Sequence, residues 1–251
     1  MTGPVLPDTF LRGHIAHRGL HSSGVPENSL AAFRAAVDLG VAIELDVQPS
    51  ADGIAMAFHD YDLDRLTPKS GPIDRQSAAT LTRVPLLDTD QTVATLAEVL
   101  TLVAGRVPLL IEIKDRDGDM GPNVGPLEDA VIADLAEYDG DVAVMSFNPH
   151  SVARFRDSAP HLPRGLVTSD FTPEAWPELT AATRNRLRDI PDYDALGCTF
   201  VSHQRETLHM ARISDLKARG AHILTWTVRS KAQESEARRV ADAVTFEGYL
   251  P

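Results

Sequence analysis

Residues 41–47 read Val41-Ala42-Ile43-Glu44-Leu45-Asp46-Val47, and residues 54–60 read Ile54-Ala55-Met56-Ala57-Phe58-His59-Asp60. Successive side chains on a β-strand point to opposite faces. Ile43, Leu45 and Val47 therefore share one face of the first strand, and Glu44 and Asp46 share the other. The turn Pro49-Ser50-Ala51-Asp52-Gly53, with Gln48 before it, is all that joins the two runs. That is too short for a parallel crossover, so they pair as a hairpin.

Outward from this hairpin, further strand-like runs fall at His14–Ala16, Pro108–Ile113, Val142–Ser146, Gly165–Thr168, Leu196–Val201, Ala221–Thr225 and Asp242–Thr245. Helical stretches separate most of them. Asn28 and Ser29 offer caps for a helix over Leu30–Leu39, with Leu30, Phe33 and Val37 on one face and Gly40 as its stop. Thr95-Leu96-Ala97-Glu98 is a capping box that opens a helix to Ala104, and Asn148-Pro149 opens another. Gly220 ends a helix carrying Leu208, Ile213 and Leu216. Strand-helix alternation predicts parallel strands with helical crossovers, here an α/β TIM (β/α)8 barrel forming one domain over residues 1–251. The second hairpin strand, Ile54–Phe58, is then a short extra strand at the barrel mouth. Residues 60–85, rich in Asp, Pro and Ser, read as a loop inserted beside it. A doubly wound sheet is the alternative, but no G-x-G-x-x-G follows a strand and no P-loop exists.

The chain of 251 residues is 43% hydrophobic and 24% charged, an ordinary globular balance. Its 24 basic against 36 acidic residues give a formal charge of −12, which argues against nucleic acid or an anionic membrane as partner. The single cysteine, Cys198, excludes an intrachain disulfide and reads as a small buried residue. The N-terminal stretch has no apolar signal core and no run reaches transmembrane length, so a cytoplasmic protein without stable membrane association is expected.

In a barrel the apolar strand face packs on the helices, so Glu44 and Asp46 point inward. Two carboxylates side by side in a poorly solvated interior repel, and a cation resolves the repulsion. Leu110-Ile111-Glu112-Ile113-Lys114 repeats the pattern, bringing Glu112 and Lys114 to one face. An exposed edge strand shows the same alternation. Two such segments in a sheet buried on both faces point instead to a functional interior. His17 closes the first strand and His59 closes the second hairpin strand. Strand C-termini are where barrels carry their chemistry. With Arg18 attached, the two histidines read as an acid/base pair beside a metal and a phosphate clamp. His14, His21 and His203 have only strand-end positions and read as structural. Trp226 shares a face with Leu224, so core packing and substrate packing both stay open.

His17-Arg18-Gly19, Pro26-Glu27-Asn28-Ser29, Glu44-Leu45-Asp46-Val47, Asp52-Gly53 and the run His59-Asp60-Tyr61-Asp62-Leu63-Asp64-Arg65-Leu66-Thr67 resemble the signature of glycerophosphodiester phosphodiesterases, in order and in spacing. Ile111-Glu112-Ile113-Lys114, Ser146-Phe147 and Thr225-Trp226-Thr227-Val228 resemble its later motifs. The compact stretch after Asp60 is similar to intracellular bacterial members. By position, the resemblance implies Glu44, Asp46 and Glu112 as ligands of one divalent cation, Mg²⁺ or Ca²⁺. It implies His17 and His59 as acid and base, Arg18 and Lys114 on the phosphate, and Trp226 against the glycerol. Ser29 stands where the family usually has Thr, a mild change because both cap helices. The end of the last strand departs more. The family commonly carries a Thr-Asp pair there, and this chain reads Val244-Thr245-Phe246-Glu247-Gly248, which leaves the far wall of the pocket open.

These residues imply metal-dependent hydrolysis of a small glycerophosphodiester to sn-glycerol 3-phosphate and an alcohol. Two alternatives stand beside it. One is a related barrel phosphodiesterase acting on lysophospholipids or phosphoinositides, which the lack of a basic or amphipathic docking segment disfavours. The other is a non-catalytic phosphate- or metal-binding barrel, which would be expected to lack one of the residues above.

Overall fold

The computed structural model describes residues 4–11 and 13–251. Among the described residues ten strands form one sheet: β1 (His14–Ala16), β2 (Ala42–Pro49), β3 (Ala55–Ala57), β4 (Ala94–Thr95), β5 (Leu109–Ile113), β6 (Val142–Ser146), β7 (Arg164–Thr168), β8 (Phe200–Gln204), β9 (His222–Val228) and β10 (Ala243–Phe246). Eight of them, β1, β2 and β5 to β10, pair in parallel around a ring that the β1–β2 and β1–β10 pairings close. Helices α1 (Asp8–Leu11), α2 (Leu30–Leu39), α3 (Ala78–Leu81), α4 (Leu96–Val103), α5 (Pro126–Leu135), α6 (Pro149–Ser158), α7 (Ala181–Asp189), α8 (Ala211–Ala218) and α9 (Lys231–Ala237) lie between or before them. The architecture is the TIM barrel that strand-helix alternation predicts.

Local chemistry sets the helix ends. The Ser29 hydroxyl accepts from the Ala32 N–H, and Gly40, in the left-handed region at φ 74°, returns its N–H to Ala36 and Val37. The Thr95–Glu98 capping box forms as the spacing predicts, and Asn148 caps α6 with Pro149 in the first turn. The outward strand faces, among them Ile43, Leu45, Ile111, Val144 and Ile223, pack against the helices in the larger core. The barrel interior is a second core of Ile15, Leu110, Phe200 and Leu224, which Leu6 and Phe10 from the segment before β1 join. A Cβ at Gly165 would lie 2.4 Å from the Phe200 ring, so the interior accepts that ring only because β7 carries glycine there.

Three sequence expectations shift. Residues 60–85 are a folded module rather than a plain loop. Ile73–Arg75 form a 3-10 turn and α3 follows, and Leu63, Ile73, Leu81, Val84 and Leu86 pack on Met56 and Phe58. Turns space those apolar residues irregularly, so no helical or strand period marks them. Strand β8 begins at Phe200, not Leu196, because backbone bonds from Leu196, Gly197 and Cys198 to Asp192, Asp194 and Tyr193 wind that stretch into turns. The helix expected through Leu208 starts at Ala211, after a 3-10 turn over Arg205–Thr207. Cys198 is buried, and burial pushes its thiol up to about 12. No helix among the described residues is long and apolar enough to cross a membrane.

Candidate active site

All eight residues singled out from the sequence, His17, Arg18, Glu44, Asp46, His59, Glu112, Lys114 and Trp226, line one pocket at the C-terminal mouth of the barrel. Met145, Phe147, Ser202 and Thr245 complete it. A wider hollow beside the mouth, between Arg75, Arg116 and Gly125, shares only Lys114 with this set.

The carboxylates come together through register. Asp46 on β2 stands opposite Glu112 on β5, with Glu44 one inward step below. Oxygens of Glu44, Asp46 and Glu112 lie within 4.8 Å of one another, all on buried residues. Cations grip them from two sides. Lys114 Nζ is 2.8 Å from Asp46 Oδ1 and 2.6 Å from Glu112 Oε1. Arg18 donates its backbone N–H to Glu44 Oε2 at 2.8 Å and sets its Nε 3.3 Å from Asp46 Oδ2. Arg18 takes a left-handed backbone at φ 53°, and Gly19 follows at φ 78°. A Cβ on Gly19 would come within 2.9 Å of Ala32, so this turn requires glycine. Asn28, offered as a helix cap, instead donates to Asp46 Oδ2 at 2.9 Å and accepts from the Asp46 N–H, leaving the cap to Ser29.

Burial raises the Glu44 carboxyl well above the usual carboxylate range, and its neighbours Asp46 and Glu112 add to the rise. Burial acts the same way on Asp46, but the charges of Lys114, His59 and Arg18 outweigh it and hold Asp46 ionised. Against its own burial, Lys114 stays protonated beside Asp46 and Glu112.

Each histidine is held by a carboxylate. His17 Nδ1 lies 2.5 Å from Glu247 Oε2, and His59 Nδ1 lies 2.7 Å from Asp60 Oδ1. Burial lowers the His17 pKa and Arg18 lowers it further, opposed by the bond to Glu247. Asp60 leads into a chain of ion pairs: Arg65 bonds Asp60 and Glu27, and Glu27 bonds Arg18 at 2.6 Å. Among the other histidines, His14 pairs with Glu234 at 2.6 Å. His203 is buried against Thr168 and Thr207. His21 Nε2 lies 3.5 Å from Glu247, beside the site.

The family model for the glycerophosphoryl diester phosphodiesterase family matches residues 17–245. The chain belongs to the glycerophosphoryl diester phosphodiesterase family. With it, the chain belongs to the enzymes that hydrolyse glycerophosphodiesters. A glycerophosphodiester phosphodiesterase of Caldanaerobacter subterraneus is 35% identical over 175 residues, covering 64% of this chain and 69% of the relative. One from Bacillus subtilis is 28% identical over 244 residues, covering 90% and 79%. An Oleispira antarctica phosphodiesterase solved with its product sn-glycerol-3-phosphate superposes with a TM-score of 0.79 at 26% identity, covering 95% of this chain and 94% of that one.

Within this phosphodiesterase barrel, four residues behind the histidines and Arg18 carry no role in the sequence analysis: Glu247 and Asp60, which hold the histidines, Glu27, which bonds Arg18, and Arg65, which joins Asp60 to Glu27. Asp60, Arg65 and Glu27 lay inside the quoted motifs. Glu247 showed only as the departure at the end of β10. Two hydroxyls were also missed. Ser202 Oγ and Thr245 Oγ1 are buried, line the pocket and have no hydrogen-bond partner among the described residues. A buried hydroxyl left unpaired costs about 1–3 kcal/mol, so these two are suited to a polar ligand group.

Proposed function

We propose that the protein hydrolyses small, free glycerophosphodiesters to sn-glycerol 3-phosphate and an alcohol, in the cytoplasm, with one divalent cation, Mg²⁺ or Ca²⁺. The convergence of Glu44, Asp46 and Glu112 beside two carboxylate-held histidines carries this reading. The donor set fits such an ion. Three buried carboxylates face two cationic side chains, Arg18 and Lys114, which leaves one negative charge in excess. Glu44 is where the excess is felt, since its carboxyl is the one driven upward by burial and its neighbours. Oxygen donors alone favour a hard cation over zinc.

When bound, the cation supplies Lewis-acid polarisation of a non-bridging phosphoryl oxygen. Arg18 and Lys114 offer N–H donors to the phosphate and balance the charge that grows on it. With Nδ1 of each histidine engaged by a carboxylate, Nε2 is the nitrogen left to act in the pocket. One histidine takes the proton of the attacking oxygen, from water or from the free glycerol hydroxyl next to the phosphoester. The other gives a proton to the leaving alkoxide as the P–O bond breaks. Attack by the glycerol hydroxyl forms a cyclic phosphate, which water opens with the two histidine roles exchanged. Trp226, fixed by its indole N–H to the Ser202 carbonyl at 3.0 Å, packs against the glycerol.

The test is hydrolysis of glycerophosphocholine followed by release of sn-glycerol 3-phosphate, with and without chelator. Lysophosphatidylcholine and phosphatidylinositol serve as competing substrates. Turnover of glycerophosphocholine that EDTA abolishes and Mg²⁺ or Ca²⁺ restores supports the reading. Full turnover by protein shown to be metal-free, or preference for either lipid, overturns it.

A further inference from the structure

We infer that Glu247 is a positioning residue for His17, holding the imidazole through Nδ1 so that Nε2 works in the pocket. The inference rests on the acid/base role proposed for His17. Strand pairing builds the contact. Ala16 stands opposite Phe246 where β1 meets β10, and the His17 N–H donates to the Phe246 carbonyl at 3.0 Å. The residues that follow, His17 and Glu247, therefore sit side by side at the mouth. The Glu247 N–H is in turn fixed to the Val228 carbonyl at 3.0 Å. Side-chain exposure is only 14% for His17 and 18% for Glu247, so water competes weakly for the bond.

The carboxylate is shared in an ordered way. Oε2 meets His17 Nδ1 at 2.5 Å and faces His21 Nε2 at 3.5 Å, while Oε1 accepts from Arg229 Nε at 2.8 Å. The bond from His17, the His21 ring facing it and the Arg229 charge hold Glu247 ionised well below the usual carboxylate range. A neutral imidazole has one proton for two nitrogens, and an anion at Nδ1 draws it there. It also stabilises the imidazolium formed when Nε2 takes a proton. The other charges that bear on His17 oppose one another: Arg18 disfavours its protonation and Asp46 favours it. Glu247 is the group that bonds the ring directly. His59 gets its carboxylate from the next residue in the chain, whereas His17 must reach across 230 positions for one.

The experiment compares Glu247→Gln, Glu247→Ala and His17→Ala in the full chain loaded with Mg²⁺, using glycerophosphocholine. Both Glu247 variants should lose on the order of 10–100-fold in kcat, as for carboxylates that orient functional histidines, with KM and Mg²⁺-induced thermal stabilisation little changed. In Glu247→Gln the limb of the pH–rate profile belonging to His17 should move to lower pH, because the imidazolium has lost its anion. Glu247→Gln keeps the side-chain shape and decides the matter if Glu247→Ala does not fold. Wild-type kcat and pH profile in Glu247→Gln, with His17→Ala inactive, overturns the inference, as does a fall in melting temperature with kcat and the pH limb unmoved. A His17→Ala enzyme with wild-type turnover overturns instead the role proposed for His17, and the inference with it.

Discussion

The mouth of the barrel has two unlike walls. Strands β1, β2 and β5 and the turn after β3 carry His17, Arg18, Glu44, Asp46, His59, Glu112 and Lys114, all titratable and nearly all tied into ion pairs. Strands β6, β8, β9 and β10 present Met145, Phe147, Ser202, Trp226 and Thr245, with no charge among them. The aromatic part continues outward, since Phe147 packs edge-on against Trp226 at 5.7 Å and against Phe171 at 6.2 Å. A buried charge is tolerable only beside its partner, so the charges gather on neighbouring strands instead of spreading around the ring. The segregation suits a substrate with a charged phosphate at one end and a neutral polyol at the other.

The sharpest way to break this contrast is to remove the chemistry from the charged wall. An acid or base contributes roughly 10²–10⁴-fold in rate, so His17→Ala and His59→Ala should each lose that much kcat on glycerophosphocholine. Affinity for Mg²⁺, read by thermal shift, should stay, because neither histidine is assigned as a ligand. Near-native turnover in both variants would reduce the histidines to scaffold.

Next comes the surplus negative charge. Glu44→Gln removes the carboxylate most opposed by its neighbours, so the metal-free protein should melt at the same temperature or higher. The rise in melting temperature on adding Mg²⁺ should shrink, since a ligand stabilises only by its affinity for the folded state. Loss of folding with and without metal would make Glu44 structural.

The uncharged wall should respond in binding more than in turnover. A neutral hydrogen bond is worth about 0.5–1.5 kcal/mol net. Ser202→Ala and Thr245→Val should therefore each raise KM for glycerophosphocholine by about tenfold at most. Bis(p-nitrophenyl) phosphate, which has no glycerol, should be cleaved as by the wild type. Equal losses on both substrates would show that the hydroxyls do not read the glycerol.

The smallest effect lies behind that wall. His203, next to Ser202 on β8, faces away from the mouth and is fully buried. Burial lowers its pKa from 6.5 to about 4, against a hydrogen bond to the Thr207 carbonyl and the charge of Asp170. An unfolded chain protonates this histidine first. Stability is thus fully present above pH 6.5 and falls as pH drops toward 4. Between those pH values His203→Gln should lose less melting temperature than the wild type, a difference of a few degrees at this chain length. Parallel melting curves for the two proteins would refute the assignment.

What the sequence determined by itself acts over a few residues. The two-residue period of 43–47 and 110–114 put Glu44, Asp46, Glu112 and Lys114 on inward faces, and Ser29, Gly40 and the Thr95 capping box set helix ends. Motif order brought His17, His59 and Arg18 into one reading, and all of them line one pocket. Tertiary structure decided the partners. Asn28 turned from a cap to a clamp on Asp46, Arg65 joined Asp60 to Glu27, and Glu247 reached His17. Residues 60–85 became a packed module only because β3 and the residue after it offered Met56 and Phe58 to cover. Periodicity and capping are local energies, legible in any short window. A hydrogen bond between His17 and Glu247 exists only once the ring closes between β1 and β10, and no window of sequence contains both.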